Sequence, residues 1–182
     1  AAFAEARALL GRLEALDGDG VLTEHGRALA DIPLSPRLAH MVLKAAATGQ
    51  ARRAARIAAL LAERGLGGRD VDVRHRLDML ERDRSPRARD ARALADRWAG
   101  LAPRPRQGRD DGEPLPDGLL LAFAFPERVA RARGGQGEFQ LASGRGAFVE
   151  PTDALAREPW LAVGELGGGD RRDRILLAAP LD

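Results

Sequence analysis

The 182-residue sequence contains no cysteine and no tyrosine, and its aromatic content is only 4%. Without cysteine the chain forms no disulfide and no thiolate metal site, which favours a reducing compartment such as the cytoplasm. No apolar run approaches the roughly 20 residues that span a bilayer. The sequence also does not begin with methionine, and its first residues already follow a helical pattern, so we expect a section of a longer protein.

Lysine is nearly absent too, since Lys44 stands alone among 29 basic residues. The pI of about 10.2 therefore overstates a net charge of +2, because almost nothing titrates between histidine and arginine. Segment 1–49 has 5 basic and 6 acidic residues, a net charge of −1. Segment 50–113 has 16 and 11, a net charge of +5, and segment 114–182 has 8 and 10, a net charge of −2. The basic excess thus lies in the middle segment.

Residues 1–49 predict a winged-helix-like unit. Apolar residues at helical spacing indicate a helix over 3–16 whose buried stripe begins at Phe3, and Asp-Gly-Asp-Gly at 17–20 forces a tight turn. Thr23 can cap a second helix that buries Leu22, Leu29 and Ile32. Ser35 and Pro36 are a cap and a first helical residue for a third.

Residues 50–101 predict a small helical bundle, and residues 102–118 predict a linker. The bundle has three apolar stripes, of which the last runs through Ala91, Leu94, Trp98 and Leu101. The segment 102–118 holds four prolines and three glycines with almost no apolar residue. We place the domain boundary there.

Residues 119–182 predict one helix followed by a small OB-like antiparallel β unit. Asp117 can cap the helix, and Pro126 can kink it or start a further helical turn toward Arg133. Beyond Gly134 apolar residues alternate, with a turn at 144–146 and later strands at 160–165 and 174–179. The predicted fold class is therefore α+β and mainly helical, with a winged-helix-like unit and a small helical, ratchet-like bundle followed by a small OB-like antiparallel β unit.

Two stretches carry a resemblance to a known family. The first stretch has the order Leu-Glu-Ala-Leu, Asp/Gly turn, Leu-Thr, Gly-Arg and Pro-Leu-x-Pro-Arg-Leu-Ala, at residues 13–16, 17–20, 22–23, 26–27 and 33–39. This order resembles the region after the motor domains in DEAH/RHA-type helicases. The second stretch resembles the C-terminal region of a bacterial member of this helicase family, at residues 141–147, 159–161 and 175–181. Ser143 stands where the family pattern usually has asparagine.

This resemblance implies an accessory, helicase-associated region. Its expected partners are two RecA-like motor domains of the same parent chain and a single nucleic-acid strand, RNA rather than DNA. ATP and Mg²⁺ are expected to bind those motor domains, outside this chain.

The residues predict no catalytic or metal site in the chain itself. Lys44 lies within a helix without the glycines of a phosphate-binding loop. His25, His40 and His75 are expected to stand far apart, which disfavours zinc. Asp17 and Asp19 begin like a calcium loop but have no closing glutamate, so a hairpin turn is expected.

Arginines are the candidate nucleic-acid-binding residues, because guanidinium groups bind phosphate and stack on bases. The alternative is a solvated face neutralised by the i,i+4 pairs Asp78–Arg82, Asp83–Arg87 and Arg92–Asp96. Phe139, Phe148 and Trp160 are expected in the core rather than as stacking platforms. The candidates are five residues around the second bundle helix and one at a hairpin tip: Arg74, Arg76, Arg84, Arg87, Arg89 and Arg145.

Two other function classes stay open beside the helicase accessory region. A winged-helix DNA-binding regulator needs a basic recognition helix, but the second predicted helix offers only Arg27 and the third only Arg37 and Lys44. A protein-interaction scaffold predicts an exposed apolar patch without nucleic-acid affinity.

Overall fold

The computed structural model describes residues 2–103, 114–169 and 172–181. Within these ranges seven α-helices precede five β-strands. The helices are α1 (Ala2–Arg12), α2 (Glu24–Asp31), α3 (Pro36–Ala46), α4 (Ala51–Ala62), α5 (Val73–Arg82), α6 (Pro86–Leu101) and α7 (Asp117–Ala124). The strands are β1 (Val129–Ala132), β2 (Glu138–Leu141), β3 (Gly146–Phe148), β4 (Trp160–Gly167) and β5 (Arg172–Pro180).

The turn between α1 and α2 is a hairpin built on one aspartate. Asp17 Oδ1 accepts hydrogen bonds from the amides of Asp19 and Val21 at 3.0 and 2.8 Å. The turn brings Leu16 and Leu22 together in an isolated antiparallel bridge. Thr23 caps α2 as predicted, with its Oγ1 accepting from the Gly26 amide at 2.9 Å. The order of elements agrees with the prediction, whereas the winged-helix assignment stays a prediction.

The apolar stripe predicted for α1 is wrong in one respect, because α1 has no buried residue. Phe3 is 81% exposed, and Leu10 is the partly buried apolar side chain of α1 that packs against the core. Leu22, expected inside, is exposed as well, whereas Leu29 and Ile32 are buried. Helix α1 also ends at Arg12 rather than at Leu16. The stripe is therefore open at Phe3, partly buried at Leu10 and fully buried at Leu13, just after the helix.

The helical core is centred on α3 and α4. Leu38, Met41 and Val42 of α3 are buried, and α3 packs against α4 and α7. Helix α6 packs against α4 through a stripe that shares only Ala91 and Trp98 with the predicted one. Its buried residues are Ala88, Ala91, Ala95 and Trp98, and Leu94 and Leu101 are exposed. The small alanines let α6 approach α4 closely, so the contact follows them rather than the leucines.

The five strands form a closed barrel in the order β1-β2-β3-β5-β4. Strands β2, β4 and β5 agree with the predicted strands. Strand β3 pairs with β5 in parallel, so the expectation of a purely antiparallel unit is wrong. Side chains inside the barrel include Phe139, Leu141, Leu161 and Ile175. The OB-like classification of this barrel stays a prediction.

Strand β1 is where sequence reasoning expected helix. Pro126 begins a single 3-10 turn, Pro126–Arg128, and the chain then extends as β1. The strand pairs with β2 on one side and with β4 on the other. Two neighbouring strands satisfy its backbone groups, which outweighs the local helical tendency.

Helix α7 joins the helices to the barrel. Its Leu120 and Leu121 belong to the helical core, together with Ala162 and Leu177 from the barrel strands. Asp117 is the first residue of α7 and not its cap, a position that Pro116 occupies. Most of the predicted linker, at 104–113, lies outside the described residues. The predicted domain limits therefore stay predictions.

Candidate nucleic-acid interface

Arg74 lies in the first turn of α5, beside the residue that caps this helix. Its Nη2 is 2.6 Å from Oδ2 of Asp72, whose Oδ1 also accepts from the Arg74 amide. Burial alone would raise the pKa of the Asp72 carboxyl, but the hydrogen bonds and charge of Arg74 hold it below its usual value. Arg74 also lines, with Arg53, a 460 Å³ cleft beside α7 and the end of β5. Half of the Arg74 side chain stays exposed.

Arg76 was predicted to contact nucleic acid, but the residue is only 4% exposed. Its Nε and Nη2 donate to the Leu66 carbonyl at 3.2 and 2.9 Å. Burial lowers the pKa of the guanidinium, which has no carboxylate in hydrogen-bond contact within the described ranges. Arg76 therefore fastens α5 to the turn before it, and its head is not available to a strand at the surface.

Arg84, Arg87 and Arg89 are exposed around the start of α6. Arg87 pairs with Glu63 and donates to the Arg64 carbonyl at 2.8 Å. No side-chain hydrogen bond or ion pair of Arg84 or Arg89 occurs within the part of the chain that the structure describes. These two guanidinium groups are the most available members of the predicted set.

The i,i+4 pairs expected for a self-neutralised face are replaced by contacts between helices. Asp96 binds Arg52 and Arg56 of α4, at 2.9 and 3.0 Å. Arg92 donates to the carbonyls of Leu80 and Asp83. Asp96 of α6 thus holds α6 to α4, and it forms no ion pair with Arg92 within the described residues.

Arg145 lies just after the turn at 142–144, next to β3, whereas the prediction placed it at the hairpin tip. Its Nη2 is 3.0 Å from Oδ1 of Asp173, a buried residue of β5. More than half of the Arg145 side chain is exposed. The arginine is therefore both anchored to the barrel and accessible from solvent.

Trp160 is the residue that sequence reasoning misplaced. It was expected in the core, but it is 43% exposed, whereas Trp98 is 6% exposed. The guanidinium carbon of Arg131 lies 5.7 Å from the centroid of the Trp160 ring. The signal was present in the strand pattern, because Leu161 and Val163 face the barrel interior and alternation places Trp160 outside.

His25 and His40 correct a second expectation, since they touch. Their Nε2 and Nδ1 atoms are 2.8 Å apart in a hydrogen bond, and the rings meet edge to face. Burial lowers the pKa of His25, and that of His40 to about 4. No three histidine or acidic residues come together as a metal site within the described ranges.

Comparison with known proteins shows the class of protein that this chain resembles. No protein-family model matches it. Its sequence and its fold are both similar to those of DEAH/RHA-type helicases, which agrees with helices followed by a small closed barrel. No described helix has the length and apolar character that crossing a membrane requires.

A relative that matches this chain in sequence is the ATP-dependent RNA helicase HrpB of Escherichia coli (strain K12). The two sequences are 36% identical over 97% of this chain and 21% of HrpB. Two crystal structures of E. coli HrpB match 97% of the chain at 32% and 30% identity, with TM-scores of 0.75 and 0.76. These matches confirm the predicted resemblance to the C-terminal helicase-associated region of HrpB. The chain spans about a fifth of these relatives' length, 21%.

Proposed function

We propose that this chain is an accessory nucleic-acid-binding region of an ATP-dependent RNA helicase. It guides a single strand past motor domains that lie outside the chain, and those motor domains bind ATP and Mg²⁺. The observation that carries the proposal is the similarity to HrpB in both sequence and fold over 97% of the chain. The finer assignments, to a winged helix, a ratchet-like bundle and an OB-like barrel, and a cytoplasmic location belong to the same proposal.

The exposed face of α1 supports a contact with the motor domains. Phe3, Val21 and Leu22 are large apolar side chains left in solvent around α1 and its following turn. Phe3 also lines an open cleft with Ala6, Leu10 and Leu16, and a contiguous exposed apolar surface is typical of a docking site. In the parent protein this face is the surface that packs against a motor domain.

The α6 arginines support the contact with nucleic acid. Arg84 and Arg89 combine exposure with the absence of a described ion-pair partner, and Arg87 lies between them in sequence. A strand of phosphates gains most from such groups, because they lose no existing ion pair when they bind. Arg74 and Arg145 are also proposed contacts, although each already forms an ion pair within the chain, with Asp72 and Asp173 respectively.

The basic residues of α3 count against a DNA-binding regulator. Arg37 donates to the Ala124 carbonyl and to Glu127, and Lys44 binds both oxygens of Glu14. Both cations of the candidate recognition helix are therefore engaged within the chain. A protein scaffold, the other alternative, requires no affinity for single strands and is separated by the experiment below.

The salt dependence of binding to a short single-stranded RNA tests the proposal. Each phosphate contact with a single strand contributes a slope of roughly 0.7 in log K against log[salt]. We expect Arg84→Ala with Arg89→Ala to flatten the slope by about 1.4, the sum of two such contacts. Fluorescence anisotropy of the labelled RNA measures it.

Arg12→Ala with Arg27→Ala is the matched control, because both arginines are exposed and lie on α1 and α2. This control should leave the slope nearly unchanged. Equal flattening by both pairs would mean attraction to overall charge and no defined interface. No binding by the unaltered chain would favour the scaffold.

A further inference from the structure

Three exposed side chains form one row across the outside of the barrel. Trp160 of β4 is directly opposite Arg131 of β1, and Arg131 is opposite Gln140 of β2. Directly opposite residues of antiparallel strands present their side chains on the same face of a sheet. All three residues are exposed. We call Trp160, Arg131 and Gln140 the Trp160 row.

The pairing of Arg131 in this row differs from that of Arg145 and of the arginines of β5. Arg145, Arg172 and Arg174 each pair with a carboxylate, from Asp173, Glu138 and Glu150 respectively. Arg131 has no ion-pair partner within the described residues, and its guanidinium lies over the indole ring instead. The row therefore presents a flat aromatic ring, a cation without a carboxylate and a side-chain amide side by side.

We propose that the Trp160 row is a stacking site for one unpaired base of a single nucleic-acid strand. The base lies against the exposed indole, Arg131 contacts the adjoining phosphate, and the Gln140 amide hydrogen-bonds to the base. The inference rests on the proposed function, since it assumes that the chain binds single strands. It adds a base contact on the barrel to the phosphate contacts at the start of α6.

The composition of the row favours a nucleobase over a protein side chain as the occupant. A protein-docking patch would surround the indole with other apolar groups, whereas the neighbours across the sheet are charged and polar. Aromatic rings next to arginines on strands are typical of single-strand-binding barrels, where every base offers a face for stacking. Charge complementarity with phosphate provides the remaining attraction.

Tryptophan fluorescence of the whole chain tests the site. Addition of a short oligouridine should quench the emission, because Trp160 is 43% exposed and Trp98 is buried at 6%. In Trp160→Leu the quenching should vanish, and the affinity measured by anisotropy should fall about fivefold or more, the size of a lost base–aromatic stack. An abasic oligonucleotide of equal length, which keeps its phosphates, should bind without quenching.

Arg131→Gln should also weaken binding, whereas the matched variant Arg174→Gln, which removes a paired arginine of β5, should weaken it less. Trp160→Phe keeps a ring and should retain part of the affinity, which decides the matter if Trp160→Leu fails to fold. The stacking site alone is overturned if binding still depends on Arg84 and Arg89 but oligouridine does not quench the tryptophan emission and Trp160→Leu does not change the affinity. Absence of any binding overturns the proposed function together with it.

Discussion

The His25–His40 contact is an acid-sensitive feature of the helical part of the chain. The charged groups that face the pair are Glu14 and Lys44, which are bound to each other. Burial disfavours a proton on either ring and lowers both pKa values. Two protonated rings at hydrogen-bond distance would also repel each other. Protonation of the pair therefore weakens the packing of α2 on α3.

Stability should fall as the pH falls from about 6.5 toward 4, the window between the ordinary histidine pKa and that of His40. In this window the unfolded chain binds protons that the folded chain does not, so acid favours unfolding. His40→Gln should reduce the loss measured by urea unfolding at pH 7.5 and pH 5, conditions on either side of about 6.5.

His75→Gln is the control for this experiment. His75 is exposed, and a hydrogen bond to Asp70 raises its pKa, which is the opposite direction. Its removal should not reduce the acid sensitivity. An unchanged pH dependence in His40→Gln would contradict the role assigned to the pair.

Helix α7 depends on a close backbone approach to β5. A Cβ atom at Gly118 would lie 2.0 Å from the Pro180 carbonyl oxygen, a distance that real atoms do not adopt. Gly118 is therefore required where the first turn of α7 crosses the end of β5. The Arg53–Asp117 ion pair, at 2.7 Å, fixes the same turn to α4.

Gly118→Ala should lower the free energy of unfolding by about 1–3 kcal/mol, as overpacking of a tight contact does. Denaturant unfolding followed by circular dichroism measures this change. The matched variant is Gly100→Ala near the end of α6, where an added Cβ meets nothing within 4 Å. There alanine should stabilise the helix by up to about 1 kcal/mol. Equal effects of the two variants would refute the importance of the α7–β5 approach.

The whole molecule is held by a core that crosses the predicted domain boundary. Leu120 and Leu121 of α7, with Ala162, Leu177 and Ala179 of the strands, join the core built by α3 to α6. The barrel has a second cluster of its own, centred on Phe139, Leu161 and Ile175. A cut in the linker would thus leave the α7 contacts intact.

Limited proteolysis should cut first between residues 102 and 118, because this segment has little apolar material to bury. The two fragments should stay associated in size-exclusion chromatography and separate only in denaturant, since α7 remains packed on α3. Fragments that elute apart would contradict the shared core. Initial cleavage between residues 23 and 47 would contradict the boundary.

The sequence by itself determined the elements that have strong local signals. Thr23 marks the start of α2, Ser35 and Pro36 mark that of α3, and the alternation of apolar and polar residues marks β2. The residue order around the hairpin turns also carried the resemblance to DEAH/RHA-type helicases. Caps and periodicity act within a few residues, so they can be read without knowledge of the fold.

Only the tertiary structure decided the rest. Val129–Ala132 became a strand because β2 and β4 flank it, and Arg76 became buried because the Leu66 carbonyl lies beside it. The His25–His40 contact joins residues of two helices, and the parallel pairing of β3 with β5 depends on the closure of the barrel. Each of these outcomes depends on partners distant in sequence or on the path of the whole chain, which local patterns do not specify.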